Sequence, residues 1–240
     1  MNDPADYAGW YATARGRWIG ETEYALLQRL AEMRGDDAVL DVGCGTGYFT
    51  DRFARRQGGL TVGLDPNVDW LDHAARHARR SISWIAGRAE ALPFADRTFD
   101  IVISVTALCF IADQRAALRE MLRVCRRRIV LGLLNRHSVL WHQKGRGGGT
   151  GAYTGAYWHG VHEARGLLRE LGCNRVRART AVFWPDAQSV ARWLEGHLSN
   201  RLPWGAFLVV VGDLADRSPE DAPYDGTLME PETPWPSQRV

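Results

Sequence analysis

The chain has almost no lysine: of 30 basic residues 29 are arginine, and Lys144 stands alone. Cysteine is scarce too. Cys44, Cys109, Cys125 and Cys173 form no CxxC pair and share no ligand spacing with histidine, so neither a disulfide scaffold nor a structural zinc site is expected. No apolar run approaches the roughly 18 residues of a membrane span. The opening MNDPADYAGW lacks the basic start and apolar stretch of a secretory leader. A cytoplasmic protein with reduced thiols is therefore expected. Charge of one sign is also missing. The net charge of +2 is too balanced for a chain that lives on phosphate backbones.

What remains is ordinary globular usage, 45% hydrophobic and 24% charged over 240 residues. From residue 38 onward, short β-rich runs alternate with amphipathic stretches at helical spacing. Strands are expected at 38–42, 60–64, 82–86, 99–105, 129–134, 175–183 and 206–211. Helices are expected at 48–57, 68–78, 113–125, with Asp113 as cap, then 161–171 and 186–198. This is the pattern of a doubly wound, mostly parallel α/β sheet of seven strands, with an antiparallel final pair. One domain over 1–215 is expected. From residue 216 the chain turns acidic and holds half of all the prolines, which reads as a loosely held tail over 216–240.

The informative segment is VLDVGCGTGYFT (39–50). A strand ends, glycines follow at 43, 45 and 47, and a helix begins at once. Such glycines allow a tight turn and close approach of a ligand to the backbone. A dinucleotide fingerprint would need a third glycine at 48, where this chain has Tyr48. Asp65 closes the second strand, 18 residues beyond Gly47, where a carboxylate can accept two ribose hydroxyl protons.

DxGxGxG after the first strand resembles motif I of the class I S-adenosylmethionine-dependent methyltransferases. GRAEALPF (87–94) is similar to that family's adenine-side segment, and FDIVISVTALCFI (99–111) to its fourth-strand motif. The stretch YAGWYATARGRWIGETEYALL (7–27) resembles the N-terminal lid helix of the ubiquinone/menaquinone-biosynthesis-type small-molecule enzymes, with lid helices spanning 1–34. The resemblance covers residues 7–212. It implies a Rossmann-like methyltransferase fold with S-adenosylmethionine as cofactor and a small-molecule acceptor.

Carried over residue by residue, the resemblance implies that Gly43, Gly45 and Gly47 contact the methionine portion and Asp41 orients its ammonium. Asp65 would hold the ribose. Pro66 or Asn67 and the backbone near Ala89 would flank the adenine, and Ser104 and Val105 would line the floor. Where relatives carry an acid this chain has Arg88, which cannot accept a hydrogen bond, so that role passes to Glu90, a backbone carbonyl or water. Tyr7, Trp10 and Tyr11 are candidates for an aromatic lid whose ring faces attract a sulfonium. The competing role for these rings is packing alone.

Residues 135–160 break the rhythm with glycines at 145, 147, 148, 149 and 151 among aromatics and histidines. Emerging after the fifth strand, this substrate-side loop has the composition of a lid. His137 and His142 are its candidate general bases. His73 and His77 read as a solvated helix face, not a metal site, and no metal is expected. The Arg126–Arg128 run reads as the solvated start of a strand. Besides the acceptor, the one association considered is a homodimer; nucleic acid and membrane are not expected. Methylation of nucleic acid or protein, and a non-catalytic S-adenosylmethionine-binding protein, are the competing functions. Turnover on any acceptor separates the last of these from an enzyme.

Overall fold

Alternating β-rich runs and amphipathic segments assemble, in a computed structural model, into one seven-stranded sheet flanked by helices. The structure describes residues 3–185, 193, 195, 198 and 200–215. The tail and, apart from three isolated positions, the helix expected over 186–198 lie outside them.

The strands are β1 (Val39–Val42), β2 (Thr61–Asp65), β3 (Ser83–Ala86), β4 (Phe99–Val105), β5 (Cys125–Leu134), β6 (Asn174–Ala181) and β7 (Phe207–Asp213). Their order is β3-β2-β1-β4-β5-β7-β6. Strands β1 to β5 pair in parallel, and β7 runs antiparallel to both β5 and β6. The order reverses direction between β1 and β4, which is where open α/β sheets leave a crevice at the carboxyl ends of their strands. Covered on both faces, the central strands are mostly apolar: Leu40, Ile101, Val102, Ile103, Ile129 and Val130 are completely buried.

Helices α1 (Pro4–Ala12), α2 (Ala14–Ala31), α3 (Tyr48–Ala54), α4 (Val68–His77), α5 (Gln114–Val124) and α6 (Val161–Glu170) cover the sheet. Asp113 caps α5 as expected, its Oδ1 accepting from Ala116 N–H at 2.9 Å. The N-terminal lid segment consists of two helices, broken at Thr13. Thr13 is extended (φ −66°, ψ 156°), and its Oγ1 accepts from Gly16 N–H while donating to Trp10 O. Gly16 makes the break feasible, because a Cβ there would lie 2.0 Å from Trp10 O.

Strand β5 starts four residues earlier than its apolar run suggests, and the arginines at its start are not all solvated. Arg128 is buried, with Nε donating to Asp213 at 2.5 Å and Nη1 to Glu32 Oε2 at 2.7 Å and to two α2 carbonyls. Arg127 pairs with buried Asp37 at 2.5 Å. These ion pairs tie the end of α2 to the sheet's amino-terminal edge, opposite the crevice. Among the described residues no helix is long and apolar enough to cross a membrane.

Candidate active site

The crevice is built by the turn after β1. Gly43 and Cys44 N–H both donate to Leu64 O, and Gly45 N–H donates to Asp65 Oδ2 at 2.9 Å, so the turn is fastened to the end of β2. Gly43 and Gly45 have φ of 74° and 54°, the left-handed region that side chains disfavour. At Gly43 a Cβ would also stand 2.2 Å from the Ala107 methyl. Gly47, at φ 75°, is required by packing: its Cβ would meet Trp84 at 2.6 Å.

A cavity of about 510 Å³ opens above this turn. Its floor is Asp41 and the segment Gly43–Thr46. Asp65, Asn67 and Trp70 form one wall, and Val105, Thr106, Ala107 and Phe110 the other. Tyr7 and Tyr11 of α1, with Gly151, Ala152 and Thr154, close over it. Helix α1 is held down by rings: Tyr11 stacks on Tyr48 at 3.6 Å, and Tyr7 lies 5.1 Å from Trp70. Burial pushes the Tyr7 and Tyr11 phenols up, opposed in Tyr7 by the hydrogen bond with Tyr11 and reinforced in Tyr11 by Tyr7, so both are neutral near pH 7.

Asp41 is the chemically pointed residue. It is 2% exposed, and Oδ2 accepts from Thr50 Oγ1 at 2.6 Å, while Oδ1 has no partner among the described residues. Burial raises its pKa to about 7, opposed by the Thr50 bond and reinforced by the nearby Asp65 charge. A buried acceptor without a partner, in a residue that lines a cavity, calls for a donor, preferably a cationic one. Asp65 is already half used: Oδ2 takes Gly45 N–H and Oδ1 takes Asn67 N–H, each at 2.9 Å. Of about four acceptor positions on a carboxylate, roughly two remain for a ligand.

Of the residues named from the sequence, Tyr7, Tyr11, Asp41, Gly43, Gly45, Asp65, Asn67 and Val105 line this cavity. Gly47, Pro66, Ala89, Glu90 and Ser104 do not. Pro66 is exposed, Ala89 is packed into the core, and Glu90 is engaged by Arg88 at 3.1 Å. Ser104 is fully buried, its hydroxyl donating to Val42 O at 2.9 Å, so it clamps β4 to β1 beneath the floor. Trp10 packs edge-on against Tyr11 and lies outside the lining.

His137 and His142 do not reach the cavity either. Asn135 Oδ1 accepts from His137 N–H, a local turn that leaves His137 exposed, and exposed His142 is bonded to Arg146 at 2.7 Å. The loop instead contributes Gly151, Ala152 and Thr154, and its Tyr157 N–H is fastened to Cys109 O at 2.7 Å. His73 and His77 stack at 4.2 Å, and no group of three metal-ligating side chains occurs among the described residues.

Two features escape sequence reading. Thr106 lines the cavity at φ 60°, strained for a β-branched residue, with its N–H held by Gly132 O at 2.7 Å. Partly buried Glu23 of α2 lies within electrostatic reach of Tyr7, Tyr11 and Tyr153, and burial raises its pKa to about 8. No local motif marks either one.

Comparison with known proteins agrees with this geometry. A methyltransferase domain family matches residues 40–131, from β1 into β5. An uncharacterized protein of Mycobacterium tuberculosis is 30% identical over 230 residues, covering 93% of this chain and 76% of that protein. A malonyl-[acyl-carrier protein] O-methyltransferase of Erwinia pyrifoliae is 32% identical over 174 residues, covering 70% of this chain and 64% of that enzyme. Among solved structures, a Thermotoga maritima S-adenosylmethionine-dependent methyltransferase, described as a possible histamine N-methyltransferase, shares the fold. Its TM-score is 0.71 at 23% identity, covering 87% of this chain and 94% of that one. Magnesium protoporphyrin IX methyltransferase of Synechocystis, with bound S-adenosylhomocysteine, has a TM-score of 0.59 at 16% identity, covering 84% of each chain. With its glycine turn, strand-end carboxylate and sheet order, the chain belongs to the class I S-adenosylmethionine-dependent methyltransferases.

Proposed function

We propose that the protein methylates a small molecule, held between the cofactor and the roof made by α1 and residues 151–154. The roof is the observation that carries this reading. Tyr7 and Tyr11 from one side and Gly151, Ala152 and Thr154 from the other leave a cleft of about 510 Å³. That volume lies in the small-ligand range of roughly 300–1,000 Å³ and must hold the cofactor as well, so the room it leaves under the roof suits a small acceptor and not a polymer. The near-neutral charge supports the same reading against a nucleic-acid groove.

The residues present fit the cofactor. Asp41 Oδ1 is an unsatisfied acceptor suited to the methionine ammonium, and Asp65 retains acceptor capacity for the ribose hydroxyls. Gly43 and Gly45 leave room for the methionine portion, and Asn67 and Trp70 stand on the adenine side. When bound, S-adenosylmethionine supplies an activated methyl on a sulfonium. The protein's part is then mostly orientation, which supplies about 7–11 kcal/mol when reacting atoms are well aligned. Tyr7 and Tyr11 line the acceptor side as neutral phenols, where they exclude water. The exposed loop histidines have no part in this arrangement. Four free thiols, three of them buried, support a cytoplasmic location.

Incubation with methyl-labelled S-adenosylmethionine and a cell extract tests the assignment. Label is expected in the low-mass fraction. Label confined to protein or nucleic acid would refute it.

A further inference from the structure

A second cavity of about 470 Å³ lies on the outer side of the glycine turn, between α1, α3 and α4. Tyr11, Thr46 and Tyr48 belong to the linings of both cavities, so the stacked Tyr11–Tyr48 pair is their common partition. The floor of the second cavity is cleared by small residues, Ala8, Ala12, Gly47, Ala74 and Ala78. Its rim carries Arg52, Arg55 and Arg79 against a single carboxylate, Asp51.

That carboxylate is spoken for. Asp51 Oδ2 pairs with Arg55, and Oδ1 accepts from Arg79 N–H at 3.0 Å. Arg52 lies over the Tyr48 ring at 3.5 Å and donates to Tyr48 O, and it has no carboxylate partner among the described residues. Arg79 is exposed, and it too has no ion pair among the described residues. Two arginines that line one concave surface thus have no carboxylate partner for their guanidinium groups among the described residues. Guanidinium offers only donors, in a planar fork that matches phosphate or carboxylate oxygens. Concavity further concentrates the field on an incoming anion.

We propose that this cavity is an anion site that takes a phosphate group, held by Arg52 and Arg79 above the alanine floor. The phosphate belongs either to a free ion or to the anionic end of an organic molecule. Ala8, Ala12 and Tyr11 lie on the same helix that roofs the first cavity. An anion in the second cavity therefore braces α1 and strengthens cofactor binding in the first. This coupling, though not the anion site itself, rests on the function proposed above.

Calorimetry on the full chain tests the site with pyrophosphate, inorganic phosphate and phenyl phosphate, at fixed ionic strength set by sodium chloride. Saturable one-to-one binding is expected. It should weaken roughly tenfold to a hundredfold in Arg79→Gln and further in Arg52→Gln/Arg79→Gln, the range of charge-assisted bonds. Arg79→Gln removes only an exposed side chain, so the test survives if the double variant misfolds. Tighter binding of phenyl phosphate than of the inorganic ions would assign the anion to a larger molecule, and the reverse order to a free ion. No saturation by any of the three, or affinities unchanged by Arg79→Gln, would overturn the site. Repeating the titration with S-adenosylhomocysteine present reads the coupling, since linkage requires each ligand to tighten the other. If S-adenosylhomocysteine fails to bind, the proposed function falls while the anion titration stands by itself.

Discussion

Replacing Asp41 by asparagine should move stability and ligand affinity in opposite directions. The substitution keeps the shape and the acceptor for Thr50 Oγ1, now 2.6 Å from Oδ2, and removes a buried charge whose other oxygen is unpartnered. Burial lifts this carboxyl from 3.8 to about 7. Holding it ionised in the free protein therefore costs on the order of 3–4 kcal/mol at pH 8. Because the folded pKa is the higher one, the wild type matches the variant below about pH 4 and falls behind as pH climbs toward 7. For a chain of this size the variant's Tm at pH 8 should be higher by roughly 6–15 °C. Affinity for S-adenosylhomocysteine should drop by roughly 10- to 150-fold, the worth of one charge-assisted bond to the ligand ammonium. The two readouts are thermal unfolding by circular dichroism at pH 5 and pH 8, and calorimetric titration of the ligand. A second signature is proton release on binding between pH 6 and 8, as the ammonium pulls Asp41 into its ionised form. A variant that is less stable and binds as well as the wild type would refute the role of Asp41 and the origin of its shifted pKa.

Asp65→Ala should weaken S-adenosylhomocysteine by more than roughly tenfold and also loosen the turn, since both Asp65 oxygens hold backbone N–H groups. Asp65→Asn, which keeps one acceptor for the turn, should separate the two effects by retaining more stability than affinity. Glu23→Gln should stabilise the protein at pH 9 by on the order of 2–4 kcal/mol and leave it unchanged near pH 4, because the wild-type carboxyl loses its proton only near pH 8; denaturant titrations at the two pH values check this. Trypsin should cut the free protein after exposed Lys144 or Arg146. S-adenosylhomocysteine should slow the cut, because residues 151–154 wall the same cavity; equal rates with and without ligand would show that the segment is no lid.

The sheet was readable because its strands and helices repeat with different periods, and because the glycine turn has a mechanical reason at each position. Asp41, Gly43, Gly45 and Asp65 fall at strand ends, where sequence order already places them at the crevice. Tyr48 was visible only as a missing glycine, yet it is the ring on which the lid rests. Ser104 and Gly47 sit beside the site and serve its frame, a distinction that only side-chain direction makes. Arg128 looked solvated because its run is polar; its partners, Glu32 and Asp213, come from distant parts of the chain. Their chemistry and their place after the fifth strand single out the loop histidines in the sequence, but the turn at Asn135 leaves His137 exposed. Thr106 and Glu23 take their character from tertiary strain and burial, which leave no local trace.

The most direct test of the account is calorimetric titration of the full chain with S-adenosylhomocysteine and with NAD. Binding of S-adenosylhomocysteine at one site, tightening from pH 6 to pH 8 as Asp41 ionises, with no heat from NAD, is the expected result. Saturable binding of NAD with no response to S-adenosylhomocysteine would contradict it.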